Sequence, residues 1–382
     1  MMKKNAWVMI LLMMLVFIIN FEYSVVMSLA PKIASTYRID GSKITYLFIG
    51  FSFMGLFAPF LGYYADRFGI KRLMILGLAV FTLGAAVIVC FSNIAGYVIG
   101  RSFMGIGFYS LISLTTSYMS SIVDYSRLGV ASGFHRLAVA GAFFASPLVG
   151  SYFAAHYSVS TLYALIGAVS IFLTGVTCFI PDVKSSARMD FANVKKILTS
   201  KDAMKLIIVI FGLTIPSVYI FNYFSIYLSE NQFSQTFISS LYSIIAVGSL
   251  IGGAVILFVS DKIGKTRLAI YGIVLSVFAI FPLPVTYKPL LIVASFMLGL
   301  GFDTIWGLIF PISSKVFETG KSTFLTILSL AMGMTNVFSN ITAPLVNKAG
   351  GFHTHVFVAA GSLSIALLIF YSVIRRYRGI LD

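Results

Sequence analysis

Gly62-Tyr63-Tyr64-Ala65-Asp66-Arg67-Phe68-Gly69-Ile70-Lys71-Arg72 and Asp261-Lys262-Ile263-Gly264-Lys265-Thr266-Arg267 decide the fold of this 382-residue chain. The second stretch repeats the Asp–basic–x–Gly core of the first 195 positions later, and each copy is a short polar island between two long apolar runs. A repeat spaced by half the chain predicts two homologous halves. The flanking runs are long enough to cross a bilayer, which takes roughly 20 predominantly apolar residues. Twelve spans are predicted, at 6–30, 43–65, 73–92, 94–119, 129–155, 159–181, 205–229, 235–259, 268–287, 289–313, 322–347 and 353–374.

Hydrophobic residues make up 59% of the chain and charged residues 10%, against roughly 25% charged in a soluble globular protein. So few charges cannot cover the outside of a soluble fold of this length, so lipid is the solvent. The net charge of +15 raises nucleic acid as a partner. The basic residues, however, fall in alternate loops and at both ends, with no basic domain to hold a duplex, and nucleic-acid binding is excluded. Cys90 and Cys178 lie in different apolar runs without ligand spacing, which predicts two small buried residues and neither a bridge nor a metal site. Lys3 and Lys4 before an apolar run imitate a signal peptide. The run continues to Ala30 without a small-residue cleavage site, so it reads as a retained first span.

The one long polar connection, 182–204, separates six spans in residues 1–181 from six in 205–382. With the N-terminus inside, twenty Lys and Arg lie on the cytoplasmic side and five outside (Lys32, Arg38, Lys43, Lys288 and Lys348). That asymmetry predicts a multi-pass protein of the cell membrane with both termini cytoplasmic and both copies of the repeat on the cytoplasmic face. Pro59, Pro147, Pro216, Pro311 and Pro344 and many of the 32 glycines fall in or near spans, where bends and close helix contacts are expected.

The stretch from Gly62 to Arg72 resembles the loop signature of the major facilitator superfamily, at the family's place between spans two and three. The second copy keeps Asp261, Lys262, Gly264 and Lys265, with Leu257 where a glycine would stand. Arg101 with Gly105 resembles the family's Arg-x-x-x-Gly element in span four. Ala142, Ser146-Pro147 and Gly150-Ser151 resemble a degenerate glycine–proline motif of proton-coupled exporters, and His135-Arg136 is similar to the sugar-efflux branch. The resemblance covers the whole chain. It implies an all-α membrane fold of twelve helices in two pseudo-symmetric six-helix bundles, working by alternating access. Gly62, Asp66, Arg67, Gly69, Lys71 and Arg72, with their counterparts Asp261, Lys262, Gly264 and Lys265, would form a conformational switch. In it, Asp66 would accept from the N-terminal amides of a neighbouring helix, where the dipole favours an anion, and the bases would pair with acids or lipid headgroups.

Ionisable groups deep in a span are expensive and are functional candidates. Glu22 lies about 12 Å below the outer end of span one and Arg101 about 10 Å below the outer end of span four, at about 1.5 Å per residue. Opposite charges at matching depth predict a pair. Burial disfavours the ionised carboxyl and a guanidinium favours it, so a substrate that disturbs the pair changes which form is held. Glu22 is therefore the expected proton-coupling carboxylate. Asp303, near the middle of span ten, is a second proton-coupling or substrate candidate, with Arg136 of span five a partner or a substrate anchor. Asn20, Tyr23, Tyr109, Tyr219, Asn222, Tyr223, Trp306, Asn336 and Asn340, with Arg101 and Arg136, are the expected substrate-cavity residues. His353-x-His355 has a spacing open to a metal but no third ligand.

These readings predict a secondary active transporter working as an exporter that exchanges protons for small organic molecules such as drugs or sugars. The alternatives are an uptake symporter or facilitator for sugars, carboxylates or other metabolites and, from another class, a polytopic membrane enzyme. No nucleotide-binding loop of the Gly-x-x-x-x-Gly-Lys-Ser/Thr type occurs, and four scattered histidines assemble no catalytic cluster. The expected partners are a small-molecule substrate, protons and membrane lipids, with no cofactor and no metal, in a monomer that encloses its own path.

Overall fold

The computed structural model describes residues 2–57, 64–65, 68–123, 128–183, 199–316 and 321–381. Gly62, Asp66, Arg67 and residues 184–198 of the predicted linker lie outside them, as do the side chains of Asp261 and Lys262. Among the described residues there is no strand. The chain divides into two compact units, Met1–Arg188 and Met189–Asp382.

In the first unit, α1 (Met2–Ser28) is followed by the short α2 (Ala30–Thr36), with Pro31 in its first turn, where a missing N–H does no harm. Next come a 3-10 stretch (Gly41–Phe48), α3 (Ile49–Met54), α4 (Ile70–Cys90), α5 (Ile94–Ile122), α6 (Leu128–His156) and α7 (Val159–Thr177). α1 packs on α6, α5 and α7, and α4 packs on α5 and α7. The second unit holds α8 (Lys201–Tyr219), α9 (Phe221–Glu230), α10 (Gln235–Ile263), α11 (Lys265–Ile280), α12 (Lys288–Val316) and α13 (Lys321–Leu381). There α8 packs on α13, and α12 packs on α10 and α11.

Among the described residues nine helical stretches are long and apolar enough to cross a membrane. The longest, Ile327–Tyr377, holds 51 residues and so two crossings. The non-helical Gly350 and Gly351 divide it between the predicted eleventh and twelfth spans. The ninth span appears as α11, shorter than the sequence suggests because its helix ends at Ile280. The second span departs most from a regular helix. It runs as 3-10, α and again 3-10 turns (Gly55–Phe57). It is also where glycines press it against α5: a Cβ on Gly50 would meet the Ser102 hydroxyl, and one on Gly55 would meet the Tyr109 ring.

The outer surface is apolar, with Phe179, Phe258, Leu368, Phe357 and Phe278 among its most exposed side chains. That is the expected surface of a protein whose backbone is satisfied within helices and whose outer face meets lipid. Cys90 and Cys178 belong to this surface. They are exposed rather than buried as the sequence suggested, because each falls at a helix end on the outward side.

The glycines of the repeated phrase take the same backbone conformation in both units. Gly69 has φ 96° and ψ 138°, and Gly264 has φ 96° and ψ 134°, each immediately before a helix. A side chain at such a φ is strained, which explains why both copies keep this glycine.

Candidate functional site: a buried ion pair in the first unit

Near the end of α1, Glu22 is fully enclosed at 0% exposure, and Arg101 on α5 is 2% exposed. The Arg101 guanidinium donates to Glu22 Oε1. The same oxygen accepts from the Tyr163 hydroxyl of α7 at 3.1 Å, and the Tyr163 oxygen lies 3.4 Å from that of Tyr97. Tyr97 precedes Arg101 by one helical turn, so both side chains leave the same face of α5. The guanidinium carbon also stands 4.3 Å from the centre of the Phe51 ring and 5.5 Å from that of Phe48. At these separations a desolvated cation is attracted by the ring faces.

The pair is enclosed but not saturated. Glu22 Oε2 and Arg101 Nε are buried without a hydrogen-bond partner. An ion pair taken out of water holds only when its remaining lone pairs and protons are met, and removing one partner strands the other charge. Two such charges, each with one polar atom unmet, form a contact that a proton or a competing cation can disturb.

Gly105 brings α5 into place. It stands one turn beyond Arg101, and a Cβ there would run into the carbonyl oxygen of Phe51. Only glycine lets α5 lie directly on the backbone of α3, which puts the Phe51 ring over the guanidinium. The predicted cavity residues gather partly around this point. Tyr23 is half-buried, its ring centre 5.1 Å from Phe108 and 5.9 Å from Phe51, and the Tyr109 ring lies 5.7 Å from Phe51. Asn20 folds back on its own helix, donating to Val16 O at 2.8 Å. Arg136 is exposed on α6.

In the second unit, Tyr219 bonds Thr342 across 2.6 Å, and the neighbouring Asn222, Asn336 and Asn340 are buried. Asp303 is half-buried, 3.8 Å from where a Cβ on Gly253 would stand. The half-buried Trp306 stands between Phe302 and Phe310 along α12. His353 and His355 face apart: His353 is exposed, while His355 is fully buried between the rings of Tyr223 at 4.0 Å and Tyr219 at 5.2 Å. In the two copies of the repeat, Lys71 and Gly264 are half-buried, while Arg72 and Lys265 are exposed.

Sequence reasoning missed three participants. Tyr97 and Tyr163 are two of 20 tyrosines, with no charge to set them apart. Asp182 stands against the start of α4: its Oδ1 lies 3.0 Å from where a Cβ on Gly69 would be, and Ile70 donates its N–H to Val183 O at 3.4 Å. An acid was expected at such a helix N-terminus, but from Asp66. The Pro181-Asp182 pair at the end of the sixth span was its legible trace.

A family model, described as Major Facilitator Superfamily, matches residues 12–318 and again 206–379. The chain belongs to the major facilitator superfamily. It is a multi-pass membrane transporter of small-molecule substrates and not an enzyme, with the superfamily's twelve-helix, two-bundle architecture. It is 24% identical over 382 aligned residues, covering 94% of this chain and 93% of the relative, to a protein of Lactococcus lactis subsp. lactis (strain IL1403). That relative is described as a multi-drug resistance efflux pump PmrA homolog. A 133-residue match at 23% identity, over 35% of this chain and 33% of the relative, links it to multidrug resistance protein 2 of Bacillus subtilis (strain 168). In fold it is similar to a D-xylose–proton symporter, with TM-score 0.78 and 15% identity over 95% of this chain and 96% of that one. It is likewise similar to the human organic anion transporter MFSD10 (TETRAN), with TM-score 0.72 and 15% identity over 95% and 98%.

Proposed function

We propose that this superfamily member is a proton-coupled exporter of small amphipathic organic molecules, with Glu22 as the coupling carboxylate and Arg101 as its internal counter-ion. The observation that carries the reading is the buried, unsaturated Glu22–Arg101 pair beside the Tyr23, Phe51, Phe108 and Tyr109 rings. Efflux and drug-like substrates are supported by the likeness to the Lactococcus lactis protein described as a multi-drug resistance efflux pump homolog.

In this mechanism, the proton and the substrate compete. With Glu22 ionised, Arg101 is its partner and a cationic or polar substrate draws on the same carboxylate. When Glu22 takes a proton, its pull on both is lost, the substrate leaves and Arg101 is released to neighbouring groups. Such an exchange shifts the balance between two conformations only by the difference in interaction free energy each one offers. The repeated loops, from Gly62 to Arg72 and from Asp261 to Lys265, would set that balance at the cytoplasmic rim. Asp303 would serve as a second protonation or substrate group, and Arg136, Tyr219, Asn222, Asn336, Asn340 and Trp306 as further substrate contacts. The reading places the protein as a monomer in the plasma membrane with both termini cytoplasmic and lipid headgroups at its basic loops.

Proteoliposomes with a trapped pH dye test it. Adding ethidium or tetraphenylphosphonium to the wild-type protein is expected to drive proton movement against the cation, and Glu22→Gln is expected to abolish it. Coupling unchanged in Glu22→Gln would remove Glu22 from the mechanism. Proton movement in the same direction as substrate would make the protein a symporter.

A further inference from the structure

Glu22 is sealed from water, yet a coupling carboxylate must exchange protons with it. The Tyr163 hydroxyl donates to Glu22 Oε1 at 3.1 Å and touches the Tyr97 hydroxyl at 3.4 Å. A phenol has one proton. With Tyr163's proton committed to the carboxylate, the proton between the two phenols comes from Tyr97. The chain therefore has one consistent direction: Tyr97 to Tyr163 to Glu22. Tyr97 and Tyr163 are both fully buried. They sit within the first two turns of α5 and α7, so the chain leads from the carboxylate toward one face of the membrane, the one opposite the linker. Over Tyr97 lies the ring of Tyr37, 4.9 Å away centre to centre and itself only half-buried, just past the end of α2. Tyr37 is followed by Arg38, whose φ is 54°, and Asp40.

We propose that Tyr97 and Tyr163 form a proton relay that loads Glu22 from the membrane face where α5 and α7 begin, with Tyr37 as the roof between Tyr97 and water. This rests on the reading of Glu22 as the coupling group. The step balances as follows. A hydronium ion gives a proton to the Tyr97 oxygen and becomes water. Tyr97's original proton passes to the Tyr163 oxygen, and Tyr163's original proton passes to Glu22 Oε1. Three O–H bonds break, on hydronium, Tyr97 and Tyr163, and three form, on Tyr97, Tyr163 and Glu22, and rotation of the two hydroxyls resets the chain. The proton arrives on the very oxygen that holds Arg101, so loading and breaking the ion pair are one event.

The groups facing this carboxyl are Arg101 and Tyr97 from α5, Tyr163 from α7 and Tyr23 from α1 itself. Among the contacts of α6 with α1 are those of Gly141, Phe143 and Gly150, which bring no ionisable group.

The test uses the full chain in lipid nanodiscs. A pH jump is followed by time-resolved infrared absorption of the protonated carboxyl, with the Glu22 band assigned by its loss in Glu22→Gln. Tyr97→Phe keeps the ring and leaves the Tyr163–Glu22 bond in place. It is expected to slow the rise of the band by about 100-fold, the scale of a lost positioned proton donor, without changing its final amplitude. Tyr163→Phe is expected to slow it likewise and, by removing the bond to Glu22, to shift the midpoint as well, and Tyr37→Ala to speed it. A purely structural tyrosine would move the midpoint of the titration and leave the rate alone. A rate unchanged by Tyr97→Phe, or by Tyr37→Ala should that variant not fold, overturns the relay and leaves Glu22 as the coupling group. A wild-type protein with no Glu22 band overturns both.

Discussion

One turn before Gly105 in the first unit stands Arg101, and one turn before Gly299 in the second stands Ser295. The two glycines do the same work: a Cβ on Gly105 would strike the Phe51 carbonyl, and one on Gly299 the Ile245 carbonyl. Around these matching contacts the chemistry has diverged. The first unit buries a carboxylate and a guanidinium, joined by two phenols. In the second, the Ser295 hydroxyl is buried without a hydrogen-bond partner, the buried His355 packs between Tyr219 and Tyr223, and the buried carboxylate of Asp202, in the first turn of α8, pairs with the exposed Arg376 at 3.0 Å. After duplication, backbone geometry was retained in both halves, while a cationic side chain one turn before the glycine stands in one of them.

The largest effect tests that asymmetry. Arg101→Ala strands the Glu22 charge in an apolar surround and is expected to destabilise the first unit by about 3–5 kcal/mol. Ser295→Ala at the matching place is expected to change stability by about 1 kcal/mol or less. Thermal unfolding in detergent, with each variant against wild type, reads both. Equal losses would erase the distinction between the halves. Adding Glu22→Gln to Arg101→Ala should recover part of the loss, since an amide carries no stranded charge.

The shared feature is next. Gly105→Ala and Gly299→Ala each push a methyl group into a facing backbone, and each is expected to cost about 1–3 kcal/mol by overpacking. The comparison breaks if one is tolerated and the other is not.

These positions also show what sequence can carry. Gly69, Gly264 and Gly105 were legible because a rigid backbone demand leaves a residue type that nothing else satisfies, and a repeat doubles the signal. The ion pair was legible because charge in an apolar run is rare, and equal depth implied contact. Tyr97 and Tyr163 were hidden because a tyrosine in a span is ordinary until its hydroxyl finds a carboxylate. The 3-10 course of the second span was hidden as well. It follows from how closely α5 approaches, a tertiary contact that local propensity does not report. His355 read as half of a metal pair with His353, although residues two apart on a helix point to different sides.

His355 gives the third test. Both of its ring nitrogens are buried without a hydrogen-bond partner, which is unfavourable by about 1–3 kcal/mol for a desolvated polar group. His355→Phe keeps an aromatic ring between Tyr219 and Tyr223 and is expected to raise the unfolding temperature, by about 1 kcal/mol in stability. In the first unit the like replacement, Tyr163→Phe, removes a bond to Glu22 and should lower it. A destabilised His355→Phe would mean that the imidazole has a polar role the first unit assigns to Glu22.

The smallest effect concerns the caps that open the second span of each half. Asp40 accepts from the Ser42 N–H at 2.9 Å at the start of the 3-10 stretch, and Ser234 accepts from the Phe237 N–H at 3.3 Å at the start of α10. One cap is a carboxylate and the other a hydroxyl, so only one can titrate. The Ser42 backbone and side-chain hydrogen bonds hold the Asp40 carboxyl below its ordinary range, with Lys43 adding to the pull. A group whose folded value is depressed stabilises the fold fully above its unfolded value, and that contribution is lost as pH falls through the folded one. Asp40 is exposed, so the whole contribution is about 1 kcal/mol or less, the usual range of an N-cap. Asp40→Asn is therefore expected to match wild type near neutrality to within a few tenths of a kcal/mol and to flatten the decline in unfolding temperature below the carboxylate range. Ser234→Ala is expected to cost about 1 kcal/mol at every pH. If the acid decline persists undiminished in Asp40→Asn, its source lies with the other carboxylates, and the two caps differ in charge without differing in consequence.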